Sequence, residues 1–125
     1  MMELEEILFY HQQSIEKYGG SKGIRDEGAL QSAIERPYAT FGGNDLYPTA
    51  FHKSAAILES IIKNHPFVDG NKRTALLAAA ALLLSYHYEL IANENYIYKK
   101  IIEIASSHLE FDNIVEWIKE HSTEI

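Results

Sequence analysis

The stretch His65–Thr74, HPFVDGNKRT, decides the reading of this chain. It gathers His, Asp, Gly and Asn into a short run that passes through Lys72 and Arg73 into the apolar segment Ala75–Leu84. A loop that opens a helix presents backbone N–H groups without intrahelical partners, together with the positive end of the helix dipole, and so favours anions. Gly70 allows a positive φ or a close backbone approach to a phosphate. Asn71 can hold the turn or donate a hydrogen bond. Lys72 and Arg73 place two cations in the first helical turn, where the dipole opposes each by about 0.3–1 kcal/mol when exposed. A bound polyphosphate turns that conflict into complementarity. Asp69 beside them suits a Mg²⁺ arriving with the phosphates, since such ions often take one carboxylate from the protein. His65 carries the one side-chain type of the run that exchanges protons near neutral pH, which makes it the candidate base. Phe67, between polar neighbours, is expected to point into the core and pin the loop.

Each of these residues has an ordinary reading when taken alone. Asp69-Gly70 is a turn, Lys72-Arg73 a solvated helix end, and a lone His more often a surface or capping residue than a base. His11, His52, His87, His108 and His121 are read that way. The concentration of such residues in ten positions, at the opening of an apolar helix, is what argues for a site.

Outward from this run the chain reads as helices separated by breaks. Leu4, Ile7, Leu8, His11 and Ile15 share a helical face that Gly19-Gly20 terminates. Asp26 is placed to cap a helix over Glu27–Glu35, with Leu30, Ala33 and Ile34 inward and Pro37 behind it. Phe41–Pro48 is loop-like, with turn residues at Gly42, Gly43, Asn44 and Asp45, and whether Tyr38–Tyr47 forms a substrate-aligning flap is left open by the sequence. Periodicity resumes over Thr49–Lys63 through Ala50, Ser54, Ile57, Leu58, Ile61 and Ile62. Lys72–Tyr86 is apolar nearly all round, the mark of a helix at the centre of the domain. Ile97, Ile101, Ile104 and Ala105 form another face, and Asp112 is expected to cap a last helix through His121. Period-two alternation is almost absent. A single all-α domain over residues 1–125 is expected, with about six helices of ordinary length and a buried central helix following the motif loop.

Composition narrows the class. The 125 residues suffice for one core, and the absence of Cys excludes disulfides, thiolate metal sites and a cysteine nucleophile. A net charge of −7 without a long basic stripe speaks against nucleic-acid binding. A single nucleotide needs only a few local cations. The start of the chain is acidic rather than basic-then-apolar, and Ala75–Leu84 is too short to span a bilayer. The expectation is a cytoplasmic protein without membrane partners.

His65, Phe67, Asp69, Gly70, Asn71, Lys72 and Arg73 resemble, without a gap, the signature of the Fic/Doc superfamily: His-x-Phe-x-(Asp/Glu)-(Gly/Ala)-Asn-(Gly/Lys)-Arg. Tyr18-Gly19-Gly20, Gly23-Ile24-Arg25-Asp26 and Ala33 to Arg36-Pro37 are similar to the N-terminal half of its Doc (death-on-curing) branch, as is the short length. The resemblance implies a Fic/Doc helical domain in which His65 activates the acceptor hydroxyl and Asp69 holds Mg²⁺. It assigns Gly70, Asn71, Lys72 and Arg73 to the phosphates, with Phe67 as hydrophobic anchor. Lys63 stands where Doc toxins carry a basic residue ahead of the motif, and joins the nucleotide-binding set on that ground.

Two departures from the nucleotidyl-transferring branch set the implied reaction. Lys72 replaces a second glycine, where a side chain crowds the backbone nest for an α-phosphate, and Leu76 replaces an arginine. Doc toxins share both, and that branch is associated with an inverted ATP offering its γ-phosphate. The implied activity is a protein Ser/Thr kinase of Doc type, with ATP and Mg²⁺, that modifies a translation protein (elongation factor Tu in the family) and blocks translation. The alternatives are AMP transfer to protein (adenylylation), or a nucleotide-binding regulatory module without turnover. Ser106-x-x-x-Glu110 fits the loose pattern of a family inhibitory helix, but a helix end and turn explain both residues. The resemblance therefore points to a separate Phd-like antitoxin as partner, binding as an amphipathic segment.

Overall fold

The computed structural model describes residues 1–125 and is a helical domain with two small antiparallel strand pairings. Six α-helices follow in order: α1 (Leu4–Tyr18), α2 (Glu27–Glu35), α3 (Ala50–Asn64), α4 (Asn71–Ser85), α5 (Glu94–Ala105) and α6 (Phe111–Glu120). A 3₁₀ turn, Arg36–Tyr38, extends α2 through Pro37. Strands β1 (Thr40–Phe41) and β2 (Asn44–Asp45) pair antiparallel around Gly42-Gly43, and β3 (Tyr88–Leu90) pairs with β4 (Ser122–Glu124). Strands of two and three residues are too short to leave a period-two trace, which is why the sequence does not announce them.

The helix ends follow local chemistry. Asp26 accepts the Ala29 N–H at 3.0 Å, Thr49 that of His52 at 3.2 Å, and Asn93 those of Asn95 and Tyr96, each satisfying an orphan donor of a first turn. The last helix differs from expectation at its start. Its cap position is Glu110, and Asp112 lies inside the first turn, where a carboxylate favours the helix dipole without closing a cap.

The centre of the domain is shared. Along α4, Thr74, Ala75, Ala78, Ala79, Leu82 and Leu83 are buried, yet Leu77 and Leu84 are 39% and 49% exposed. The helix enclosed on most sides is α3, ahead of the motif, which packs against α2, α4, α5 and α6. Its Ala55, Ala56, Ile57, Leu58, Ile61 and Ile62 are fully or almost fully buried. Small residues on the facing surfaces, Ala55 and Ala56 on α3 with Ala75, Ala78 and Ala79 on α4, are all buried, and the Ser54 hydroxyl donates to the Ala79 carbonyl at 3.0 Å. The two helices joined by the motif loop are thus fixed rigidly to each other.

No helix is long and apolar enough to cross a membrane. Replacing Ile61, which has no exposed surface, by Ala is expected to lower unfolding free energy by about 2–5 kcal/mol in urea titration, without moving the motif loop.

Candidate active site

The motif begins where α3 ends. His65 is the C-cap residue of α3 and adopts the left-handed conformation, φ 47 and ψ 60, that a non-glycine residue enters only at a cost of about 1–3 kcal/mol. Arg25 holds it there. Its guanidinium donates to the carbonyls of Asn64 and His65, both at 2.6 Å, so a cation closes the negative end of α3. The backbone N–H groups of Arg25 and Asp26 both donate to Pro66 O, and Val68 N–H donates to Gly23 O. Segment 23–26 therefore runs alongside the motif as a short antiparallel bridge centred on Ile24 and Phe67. The His65 side chain is exposed, and its ring makes no hydrogen bond within the chain.

Inside the loop, Phe67 is 1% exposed and anchors the run in the core, as its position between polar residues suggested. Asn71, 8% exposed, closes both backbone groups of Phe67: its Oδ1 accepts the N–H and its Nδ2 donates to the carbonyl, each at 3.0 Å. The Asn71 side chain is thereby committed to the loop. Of the two roles open to it, it holds the turn, and its backbone N–H and second Nδ2–H are left without a partner in the chain. Gly70 takes φ 75 at the N-cap of α4, and a Cβ there would lie 3.2 Å from Ile15 Cδ1, so both conformation and space require glycine.

Asp69 is oriented from two directions. Its Oδ1 accepts the Gly70 N–H at 2.9 Å and its Oδ2 accepts the Ser21 N–H at 3.2 Å. Gly20 lies against the same carboxylate at φ 116, where an added Cβ would fall 2.7 Å from Oδ2. A carboxylate has about four lone-pair sites, so both oxygens keep capacity toward the cleft. That fits a Mg²⁺ held by one carboxylate and by phosphate oxygens. No group of three or more His, Asp or Glu side chains converges to form a protein cage for a metal.

His11 is the residue that sequence reasoning placed wrongly. It is 7% exposed, stacks on Phe67 with ring centroids 3.9 Å apart and planes 7° from parallel, and its Nε2 lies 2.8 Å from the Asp69 carbonyl oxygen. A carbonyl only accepts, so Nε2 carries the proton. His11 is an internal strut of the motif loop rather than a surface group. The signal was present, because His11 falls on the apolar face of α1. His121 and His52 do act at helix ends, the first through Nδ1 to Trp117 O and the second beside the Thr49 cap.

The loop opens onto a cleft of about 650 Å³ between the start of α4 and α5. His65, Asp69, Gly70, Asn71, Lys72 and Arg73 all line it, so the structure brings the expected site residues together. The backbone N–H groups of Asn71, Lys72 and Arg73 make no hydrogen bond in the chain, and neither cationic side chain forms an ion pair. Lys63 is the exception among the candidates. It lies on α3 before the chain reverses at His65, outside the cleft, and its Nζ sits 3.9 Å from Glu59 one helical turn back. Ser106 and Glu110 cap the end of α5 and the start of α6, so no helix carries them as an inhibitory pair.

A helix start with three free N–H groups, two unpaired cations, a half-satisfied carboxylate and an exposed His is the arrangement expected of the motif. The model of the Fic/DOC family matches residues 2–83, about two thirds of the chain and all of the motif. The chain belongs to the Fic/Doc family. Among curated relatives, Toxin Doc of Mycolicibacterium smegmatis is 50% identical over 66 residues, covering 53% of this chain and 51% of the relative. Protein kinase doc of Escherichia phage P1 is 35% identical over 79 residues, 63% of this chain and 62% of the relative. The match thus spans between about half and three fifths of these relatives. The Fic/Doc match takes in α1 to α3 and nearly all of α4, the part that builds the loop, whereas the α5 wall of the cleft lies beyond it.

Two substitutions separate holding the loop from binding a ligand. Asn71→Ala leaves two buried backbone groups of Phe67 unpaired and is expected to cost about 1–3 kcal/mol in chemical denaturation. Lys72→Ala, at an exposed and unpaired position, is expected to stay within about 0.5 kcal/mol of the parent in the same measurement.

Proposed function

We propose that this chain is a Doc-type protein kinase, transferring the γ-phosphoryl group of ATP to a Ser or Thr hydroxyl of a translation protein, elongation factor Tu by family resemblance. The observation that carries this reading is the convergence of exposed His65, Asp69 and the unpaired cationic start of α4 on one cleft. In phosphoryl transfer the protein mostly positions the reactants and stabilises charge, and each group here has a part in that work. The His65 imidazole accepts the proton of the attacking hydroxyl. The hydroxyl oxygen bonds to the γ-phosphorus as the bond to the bridging oxygen breaks, and ADP departs. The free N–H groups of α4, with Arg73 and Lys72, face the negative charge of the phosphates. Asp69 is the carboxylate that would hold Mg²⁺, which when bound neutralises phosphate oxygens.

The choice of phosphoryl over AMP transfer rests on Lys72 and Leu76. Both line the cleft, Lys72 at the second helical position and Leu76 one turn further on, so the cleft carries a bulky side chain and an apolar one where the adenylylating pattern has glycine and arginine. The names of the two relatives, a toxin and a protein kinase, support the same direction. On this reading the chain acts as a toxin restrained by a Phd-like antitoxin.

The test is to incubate the chain and its variants with a translation extract and ATP, and to weigh the proteins by mass spectrometry. One added phosphoryl group on a translation factor is expected. With His65→Ala the rate should fall about 10²–10⁴-fold while ATP binding in calorimetry stays nearly unchanged. Arg73→Ala should weaken both, binding by about tenfold or more. An added AMP in place of phosphate would overturn the kinase assignment, and full activity of His65→Ala would overturn the base.

A further inference from the structure

Arg73 contacts the protein in an unusual way for a site cation. Its guanidinium carbon lies 3.8 Å from the centroid of the Tyr18 ring, well inside the range of a cation–π contact. It has no carboxylate partner and makes no hydrogen bond through its side chain. Tyr18 is the last residue of α1, is 53% exposed, and its hydroxyl is likewise without a hydrogen bond in the chain. Both residues line the same cleft. The backbone that follows Tyr18 is tied to the motif: Ser21 N–H bonds Asp69, and Gly20 packs against the same carboxylate.

The physical difference between an aromatic and a carboxylate partner is what matters here. A carboxylate would occupy the N–H fork of the arginine and cancel its charge. A ring engages only the flat face, so all five N–H donors stay in the guanidinium plane and the charge stays whole. Meanwhile the flexible side chain loses its freedom before any ligand arrives, and less of that cost falls on binding. The Lys17 ammonium lies 5.3 Å from the same ring, so the ring has two cations close to it.

We propose that Tyr18 is a positioning residue for the phosphate-binding Arg73, holding the guanidinium by its face with its donors free for an oxyanion. The inference rests on the nucleotide reading given above. It adds a residue of α1, outside the motif, to the determinants of that site.

The test combines two readouts on the full chain. In ¹⁵N NMR without nucleotide, the Arg73 Nε–H resonance is expected to carry a ring-current shift in the parent and in Tyr18→Phe, lost in Tyr18→Leu. In calorimetry with ATP and Mg²⁺, Tyr18→Phe should bind within about twofold of the parent, and Tyr18→Leu about three- to tenfold more weakly. In an Arg73→Ala background Tyr18→Leu should have no further effect. Equal weakening in both backgrounds, or parent-like binding by Tyr18→Leu, would overturn the role of Tyr18 while leaving the nucleotide site intact. Unchanged affinity in Arg73→Ala alone, or no ATP binding by the parent, would instead remove the phosphate reading and this inference with it.

Discussion

The amide of Asn71 closes both backbone hydrogen bonds of Phe67, and the geometry of the cleft hangs from that pair. A six-residue connection must reverse the chain between two packed helices without leaving buried polar groups unpaired, a requirement few sequences meet. Phe67 drives the loop into the core, and Asn71 then answers the N–H and C=O that this burial would otherwise orphan. The reversal puts His65 in a left-handed conformation and Gly70 in another, each held from outside the loop: Arg25 grips the carbonyls before Pro66, while His11 supports the carbonyl of Asp69. Strain at His65 is thus sustained by a side chain 40 residues away in sequence.

From that constraint follows the electrostatics of the site. A helix whose first three N–H groups are free, and whose first turn holds two unpaired cations, is a local positive field within a chain of net charge −7. The field costs stability in the free protein, since the dipole and the cations share a sign. It is retained opposite the α5 wall, where Ile97 and Ile101, together with Leu76 of α4, supply an apolar side to the cleft and limit the water that would screen it. The carboxylate of Asp69 faces the same space, yet is kept from pairing with Lys72 or Arg73 by its bonds to Ser21 and Gly70.

Much of this is legible in the amino-acid sequence. Periodicity locates the helices, and the inward residues named on α2 and α3 are all buried. The motif identifies the site, and six of its expected residues do converge on one cleft. The residues that mislead are those whose type is common in two settings. Asp112 looks like a cap but lies inside the helix, because caps depend on where the backbone leaves the helical region, which composition marks only to within a residue or two. Lys63, joined to the nucleotide set by its resemblance to the Doc pattern, does not line the cleft and lies 3.9 Å from Glu59, one helical turn back. His11 looks incidental because its partners, Phe67 and Asp69, are far along the chain, the second of them 58 positions away.

The sequence by itself determined the helical class, the motif and the sign of the charge it gathers. These depend on residues within one or two helical turns of each other, where spacing in sequence is spacing in space. The tertiary structure alone decided which side chains serve the loop and which line the cleft: Asn71 bonded to Phe67, Arg73 laid on Tyr18, Arg25 bonded to the end of α3, Lys63 beside Glu59. It also decided that α3, rather than the more uniformly apolar α4, is the helix enclosed on most sides. Those outcomes depend on contacts between segments that only meet once the helices pack, and a single chain carries no record of such distances.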